Sequence, residues 1–157
     1  MKAQVWTDGS NSTKTGWCGW AYHGFLGDQV IRGCGYERGT NQRAELRAVV
    51  EALKALPPGT EVEVISDSQY ALSCMTDFRA KWEHAGFMTF NGMEVKHVEL
   101  IKEGHRASDL VKATFRHVRG HTGDPGNELA DVMSKSARAI AEGEDPAIDV
   151  TPFLVRE

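Results

Sequence analysis

Three carboxylates stand out in this chain by where they fall in its hydrophobic pattern. Asp8 follows the strand-like run Ala3-Gln4-Val5-Trp6-Thr7, and Asp67 follows Glu61 to Ser66, which alternates with Val62 and Val64 on one face. Both runs are apolar enough to sit centrally in a sheet, and ligand sites of open α/β sheets lie at such strand ends. Each residue also has an ordinary reading: Asp8 as the first residue of an Asp-Gly turn, Asp67 as a helix N-cap. Glu45 lies in a helical stretch, where it flanks the stripe of Val49, Ala52 and Leu56 rather than lying opposite it. A carboxylate there must be solvated, paired or metal-bound. Several carboxylates gathered in one place repel and raise one another's pKa unless a cation neutralises them, so the grouping points to a hard, oxygen-preferring ion, Mg²⁺ or Mn²⁺. Asp131 gets no such support. The apolar face of its helix points the other way, and a solvated surface Asp is the default.

The elements that must position these groups are legible from periodicity. After the first strand, Trp17 to His23 and Gln29 to Tyr36 read as two further strands, giving three antiparallel strands in succession. From Asn41 to Leu56, Leu46, Val49, Val50, Leu53 and Leu56 recur at helical spacing until Pro57-Pro58-Gly59 stops them. A strand over Glu61 to Ser66 turns into a helix at Asp67-Ser68. Residues 77 to 103 hold two short helices, around Phe78–Trp82 and Val98–Ile101, bridged by a Gly- and Met-bearing loop. Ala113 to Val118 is a last strand, and Pro125 opens a helix with Leu129, Val132, Met133, Ser136 and Ile140 on one face. This order implies a mixed sheet with helices on its faces. The expected domain spans residues 1–142. The Pro-containing, acidic and then apolar tail, 143–157, is free to pack, to stay flexible or to recruit a partner.

At 157 residues the chain is long enough to bury about two-thirds of its unfolded surface as one domain without staples. Its 41% apolar and 25% charged residues match globular proteins, and no apolar run approaches the roughly 18 residues that span a bilayer. The N-terminus turns polar before any apolar signal region, so the cytoplasm is the expected location. Cys18, Cys34 and Cys74 are isolated, which indicates neither a disulfide framework nor a zinc site. A net charge of −4 means that any attraction to nucleic acid must be local. No oligomer signal appears, and a monomer is expected.

Four segments decide which known proteins the chain resembles: Thr7-Asp8-Gly9-Ser10, Arg38-Gly39-Thr40-Asn41-Gln42-Arg43-Ala44-Glu45-Leu46, Ser66-Asp67-Ser68-Gln69, and Gly120 to Asp131 with its pattern G-H-x-G-x-x-G-N-E-x-A-D. In type, order and spacing they resemble the signatures of type I ribonuclease H, over about Val5 to Ala141. The resemblance implies a ribonuclease H-like α/β fold, a five-stranded mixed sheet with helices on both faces. It also implies an endonuclease that cuts the RNA strand of RNA–DNA hybrids, leaving 5′-phosphate and 3′-hydroxyl ends. Asp8, Glu45, Asp67 and Asp131 would hold two Mg²⁺ ions, with Mn²⁺ as a substitute, to activate a water and stabilise the leaving 3′ oxygen. His121, which outside this motif would read as a surface or packed residue, would shuttle protons or aid product release. Gly9, Ser10, Asn11, Asn41, Gln42 and Gln69 would contact the hybrid's minor groove, where the 2′-hydroxyl marks RNA. Arg38 and Thr40 would grip a phosphate of the DNA strand. A hybrid-binding module without cleavage, or another nuclease of the same fold, are the alternatives; the intact carboxylate set argues against the first, the T-N-Q-R-A-E-L block and the His121 motif against the second.

The chain departs from the family where a Lys-rich protrusion is usual, placing Trp82-Glu83-His84-Ala85-Gly86-Phe87-Met88-Thr89-Phe90-Asn91-Gly92-Met93 there instead. Trp82 and Phe87 would flank the DNA strand or serve as packing residues. His97 stands where the family often has a phosphate-contacting Asn, and the loop after Ser10 is shorter and lacks the usual Pro-Gly run. Each lost phosphate contact lowers the slope of log affinity against log salt by about one. Hybrid binding is therefore expected to be weaker and less salt-dependent than in a Lys-rich relative; equal slopes in a salt titration would refute this.

Overall fold

The computed structural model describes residues 1–120 and 122–155. His121 and residues 156–157 lie outside the described residues. Five strands, β1 (Lys2–Asn11), β2 (Trp17–Leu26), β3 (Gln29–Arg38), β4 (Glu61–Ser66) and β5 (Lys112–His117), form one sheet in the order β3-β2-β1-β4-β5. The first three are antiparallel, while β4 and β5 join in parallel. Gly27, at φ 60°, takes the first central position of the two-residue β2–β3 turn, where positive φ matches the twist of the strands.

Helix α1 (Asn41–Lys54) starts where Thr40 Oγ1 accepts from the Arg43 N–H at 3.2 Å. It buries Leu46, Val49, Val50 and Leu53 against Val5, Trp20 and Val64 of the sheet, and α4 (Val98–Asp109) adds Leu100 and Ile101 to the same core. Between them in sequence lie the short helices α2 (Gln69–Met75) and α3 (Arg79–His84). The opposite face is covered by α5 (Pro125–Glu142), whose Met133 and Ala137 meet Ala21 and Cys34. The five-stranded mixed sheet with helices on both faces is thus the architecture of the chain.

Two local readings change. β1 does not finish at Asp8: it runs on to Asn11 because β2 continues to pair with it, Asp8 opposite Ala21 and Asn11 opposite Cys18, so Asp8-Gly9 is strand and not turn. Asp67 is not the cap of α2; Ser68 is, its hydroxyl accepting from the Ala71 N–H at 3.1 Å. As far as Val155, the tail packs. Val150 is buried, Phe153 and Leu154 cover the α5-side core, and the Val155 N–H donates to the Cys34 carbonyl at 2.8 Å on the free edge of β3.

One glycine governs how closely α1 sits on the sheet. A Cβ at Gly9 would stand 2.5 Å from the Glu45 backbone nitrogen and 2.7 Å from the Ala44 carbonyl carbon. Neither atom can swing aside as a side chain would. Gly9→Ala is therefore expected to cost about 1–3 kcal/mol or more in a urea or thermal melt and, by displacing Glu45, to reduce divalent-ion binding as well.

Candidate active site and metal centre

The parallel register pairs Thr7 with Ser66, so the next residues on the two strands, Asp8 and Asp67, lie side by side where β4 ends. Strands in a sheet are about 4.8 Å apart, which brings neighbouring carboxylates within reach of one ion. The close approach of α1 at Gly9 adds Glu45 from the other side. Oxygens of Asp8, Glu45 and Asp67 all lie within 4.8 Å of one another. Asp8 and Glu45 are 3% and 5% exposed, which leaves almost no water to solvate their charges. Asp8 Oδ1 accepts from the Gly9 N–H at 2.9 Å, and the Asp67 carbonyl is held by His117 Nε2 at 3.1 Å. Glu45 Oε2 is buried with no hydrogen-bond partner among the described residues.

Burial, and then the negative charge of Asp67, raise the pKa of Asp8; burial, and then the charge of Asp8, raise that of Glu45. An unpartnered buried oxygen among crowded carboxylates is costly unless a cation takes it up. The donor set is all oxygen, which suits a hard divalent ion.

These groups open into a cleft of about 440 Å³ lined also by Gly9, Ser10, Asn11, Asn41, Ser68, Asp131, Lys135 and Arg138. Asp131 thus faces the cleft, although the apolar pattern of α5 puts it off the core: the side of α5 that flanks the sheet end looks across at Asp8. Its carboxylate pairs with Lys135, one turn on, at 3.1 Å. A cleft that gathers four carboxylates and two cations at the end of a sheet can hold divalent ions against a phosphate ester.

The chain matches the sequence profile of RNase H over residues 1–139. It belongs to the RNase H family. Ribonuclease H of Bordetella pertussis is 36% identical over 145 residues, covering 91% of this chain and 93% of that protein. Ribonuclease H of Ehrlichia chaffeensis is 38% identical over 136 residues, covering 86% and 93%. In fold the chain is similar to LC9-RNase H1, a type 1 RNase H with the type 2 active-site motif, at a TM-score of 0.73 and 24% identity, covering 93% of this chain and 74% of that one. It is also similar to a foamy viral protease-reverse transcriptase in complex with dsDNA, at a TM-score of 0.69 and 20% identity, covering 88% and 94%.

Within this RNase H family member, the residues expected to contact substrate do not all gather at the carboxylates. Ser10, Asn11 and Asn41 line the cleft, and Gly9 contributes backbone beside α1. Gln42 is exposed on the first turn of α1, and Gln69 donates to Ser73 Oγ at 3.1 Å on α2. Arg38 and Thr40 line a second cleft, of about 340 Å³, with Glu37, Arg43 and His97. There Arg38 stacks on Trp17 and donates to the Thr15 carbonyl at 2.8 Å. His97 caps α4 at φ 62°, its Nε2 buried without a partner among the described residues and its pKa lowered by burial and then by Arg43. Trp82 and Phe87 pack partly against the main core, while Phe90 and Met93 stand out in solvent. His121 lies outside the described residues; a Cβ on its neighbour Gly120 would stand 2.8 Å from Asp67 Oδ2. Periodicity missed Ser68, His117, Lys135 and Arg138. The two cations had a readable signal, since 131, 135 and 138 recur at the i, i+4, i+7 spacing of one helix face.

The raised pKa values have a consequence for stability. Without metal, native Asp8 and Glu45 keep protons that the unfolded chain loses, so the native state binds more protons and stability falls as pH rises above the ordinary carboxylate range. In chelator, the melting temperature is expected to fall between about pH 5 and pH 8, with Mg²⁺ reversing most of the loss. Asp8→Asn should stabilise the metal-free protein at pH 8 by about 1–3 kcal/mol, and a flat pH profile in chelator would contradict the raised values.

Proposed function

We propose that this chain is a metal-dependent endonuclease that hydrolyses the RNA strand of RNA–DNA hybrids, leaving 5′-phosphate and 3′-hydroxyl ends. The observation that carries the reading is the convergence of Asp8, Glu45, Asp67 and Asp131 from β1, α1, the end of β4 and α5 on one open cleft, with a buried Glu45 oxygen that has no partner among the described residues, in a member of the RNase H family. These four side chains would hold two Mg²⁺ ions, with Mn²⁺ as a substitute. When bound, the ions would supply an activated water and neutralise charge on the leaving 3′ oxygen.

The chain's own residues do the rest. Asp8 and Glu45, buried on rigid elements, set the geometry. Asp131, on the rim and paired with Lys135, completes the ligand set. Ser10, Asn11 and Asn41 face the minor groove along the cleft, Gly9 admits close backbone approach there, and Gln42 and Gln69 extend the contact from α1 and α2. Arg38 and Thr40, with His97 beside them, grip a phosphate of the DNA strand in the second cleft. Trp82 and Phe87 hold the protrusion against the DNA side. His121 moves protons or aids product release, a role suited to an imidazole near neutral pH. The catalytic domain comprises residues 1–142, and the tail serves as a strap over β3 and α5.

The protein works as a monomer on its hybrid substrate. The three cysteines are buried and unbonded, which suits the reducing cytoplasm. Among the described residues no helix is long and apolar enough to cross a membrane.

Cleavage of an RNA–DNA hybrid with labelled RNA, beside single-stranded RNA and duplex DNA, tests the reading. Cutting is expected only in the RNA of the hybrid and only with Mg²⁺ or Mn²⁺, and Asp67→Asn should lower kcat on the order of 10²–10³ or more. A hybrid that binds but stays whole with both metals would favour a binding module instead.

A further inference from the structure

α5 meets β2 at a glycine. A Cβ at Gly19 would stand 2.1 Å from the Ser134 carbonyl oxygen and 2.9 Å from the Arg138 nitrogen, so the helix backbone rests directly on the strand. Gly19 pairs with Ser10 across β1 and β2, which sets Arg138 over the end of β1. Arg138 Nη1 donates to Ser10 Oγ at 2.5 Å and to the Asn11 carbonyl at 2.7 Å. Glu142, one turn further along α5, lies 3.4 Å from Arg138 Nε and itself accepts a hydrogen bond from Thr15 in the β1–β2 turn. A run of polar contacts therefore links that turn, through α5, to the last two residues of β1.

A serine hydroxyl has one proton to donate and two lone pairs. With the guanidinium donating to its oxygen, the Ser10 proton is directed elsewhere, and Ser10 lines the carboxylate cleft while being only 6% exposed. We propose that Arg138 is a positioning residue that fixes Ser10 as a hydrogen-bond donor toward the cleft, so that Ser10 recognises an acceptor oxygen of the RNA strand, the 2′-oxygen. The inference rests on the reading of the chain as a hybrid nuclease. It assigns the shortened β1–β2 connection a substitute support: the turn is held from α5 by Thr15, Glu142 and Arg138. Because Glu142 neutralises Arg138, the residue acts through geometry rather than through added positive field.

The test is a double-mutant cycle in steady-state hybrid cleavage, using wild type, Arg138→Met, Ser10→Ala and the double variant, with Arg138→Lys as the conservative control. Arg138→Met is expected to raise KM about three- to tenfold, the worth of one hydrogen bond, with kcat within about twofold; Arg138→Lys should recover most of the loss. In the Ser10→Ala background, Arg138→Met should raise KM no further, because the two residues act as one unit. The slope of log affinity against log salt should match wild type. Additive effects in the double variant, a fall in kcat with KM unchanged, or a slope lowered by about one, the mark of a lost phosphate contact, would each overturn the proposal. If melts show that Arg138→Met does not fold, Arg138→Gln enters the same cycle. Failure of the wild type itself to cut the hybrid would instead remove the functional reading beneath it.

Discussion

Two carboxylates buried with almost no water, and a third beside them, are held together within β1 where β4 ends, by backbone packing that outweighs their repulsion. Asp8 is fixed within a strand that β2 pairs through Asn11 and β4 pairs as far as Thr7, and Glu45 is carried in by a helix that rests on Gly9 with no side chain between. Neither can move apart without opening the main core, where Leu46, Val49 and Leu53 of the same helix are fully or almost fully buried. The hydrophobic effect of that core, not any local attraction, keeps the like charges close. Raised pKa values and an oxygen without a partner among the described residues are the physical trace of this arrangement, and a divalent ion would relieve both.

The parallel pairing of β1 with β4 supplies the remaining precision. Because the register matches Thr7 with Ser66, Asp8 and Asp67 fall at neighbouring positions by construction, and a slip of one residue would send one of them to the other face. His117 at the end of β5 then anchors the Asp67 backbone. β4 and β5 thus contribute to the site where they end, beside Asp8 within the longer β1, and the ends of strands are where an open sheet leaves room for a ligand.

The other face follows a different rule. α5 lies close to the sheet through Gly19 and presents Asp131, Lys135 and Arg138 along one flank, while its apolar side joins Cys34, Ala21 and the tail residues Val150 and Phe153. The smaller core on this side includes residues from beyond the region that resembles the family, so the tail helps to seat the helix that brings Asp131 to the cleft.

Much of this was legible in the chain itself. Period-two and 3.6-residue patterns located the strands and helices, because burial of one face forces those repeats, and the motif blocks named the four carboxylates. Local sequence could not show that Asp8-Gly9 is strand, since an Asp-Gly pair reads as a turn until β2 is known to pair past it. Nor could it place Asp131 at the site, because a helix's cleft-facing flank is polar just as its solvent face is. Trp82 and Phe87, equally able to stack on a strand or pack inside, needed the position of the main core to be seen as partly buried. The sequence by itself determined the order of elements, which carboxylates fall within the motif blocks, and the family. Only the tertiary structure decided which groups meet, because register, the glycine contacts at Gly9 and Gly19, and the Arg138 bridge depend on backbones far apart in the chain coming within a few ångströms of each other.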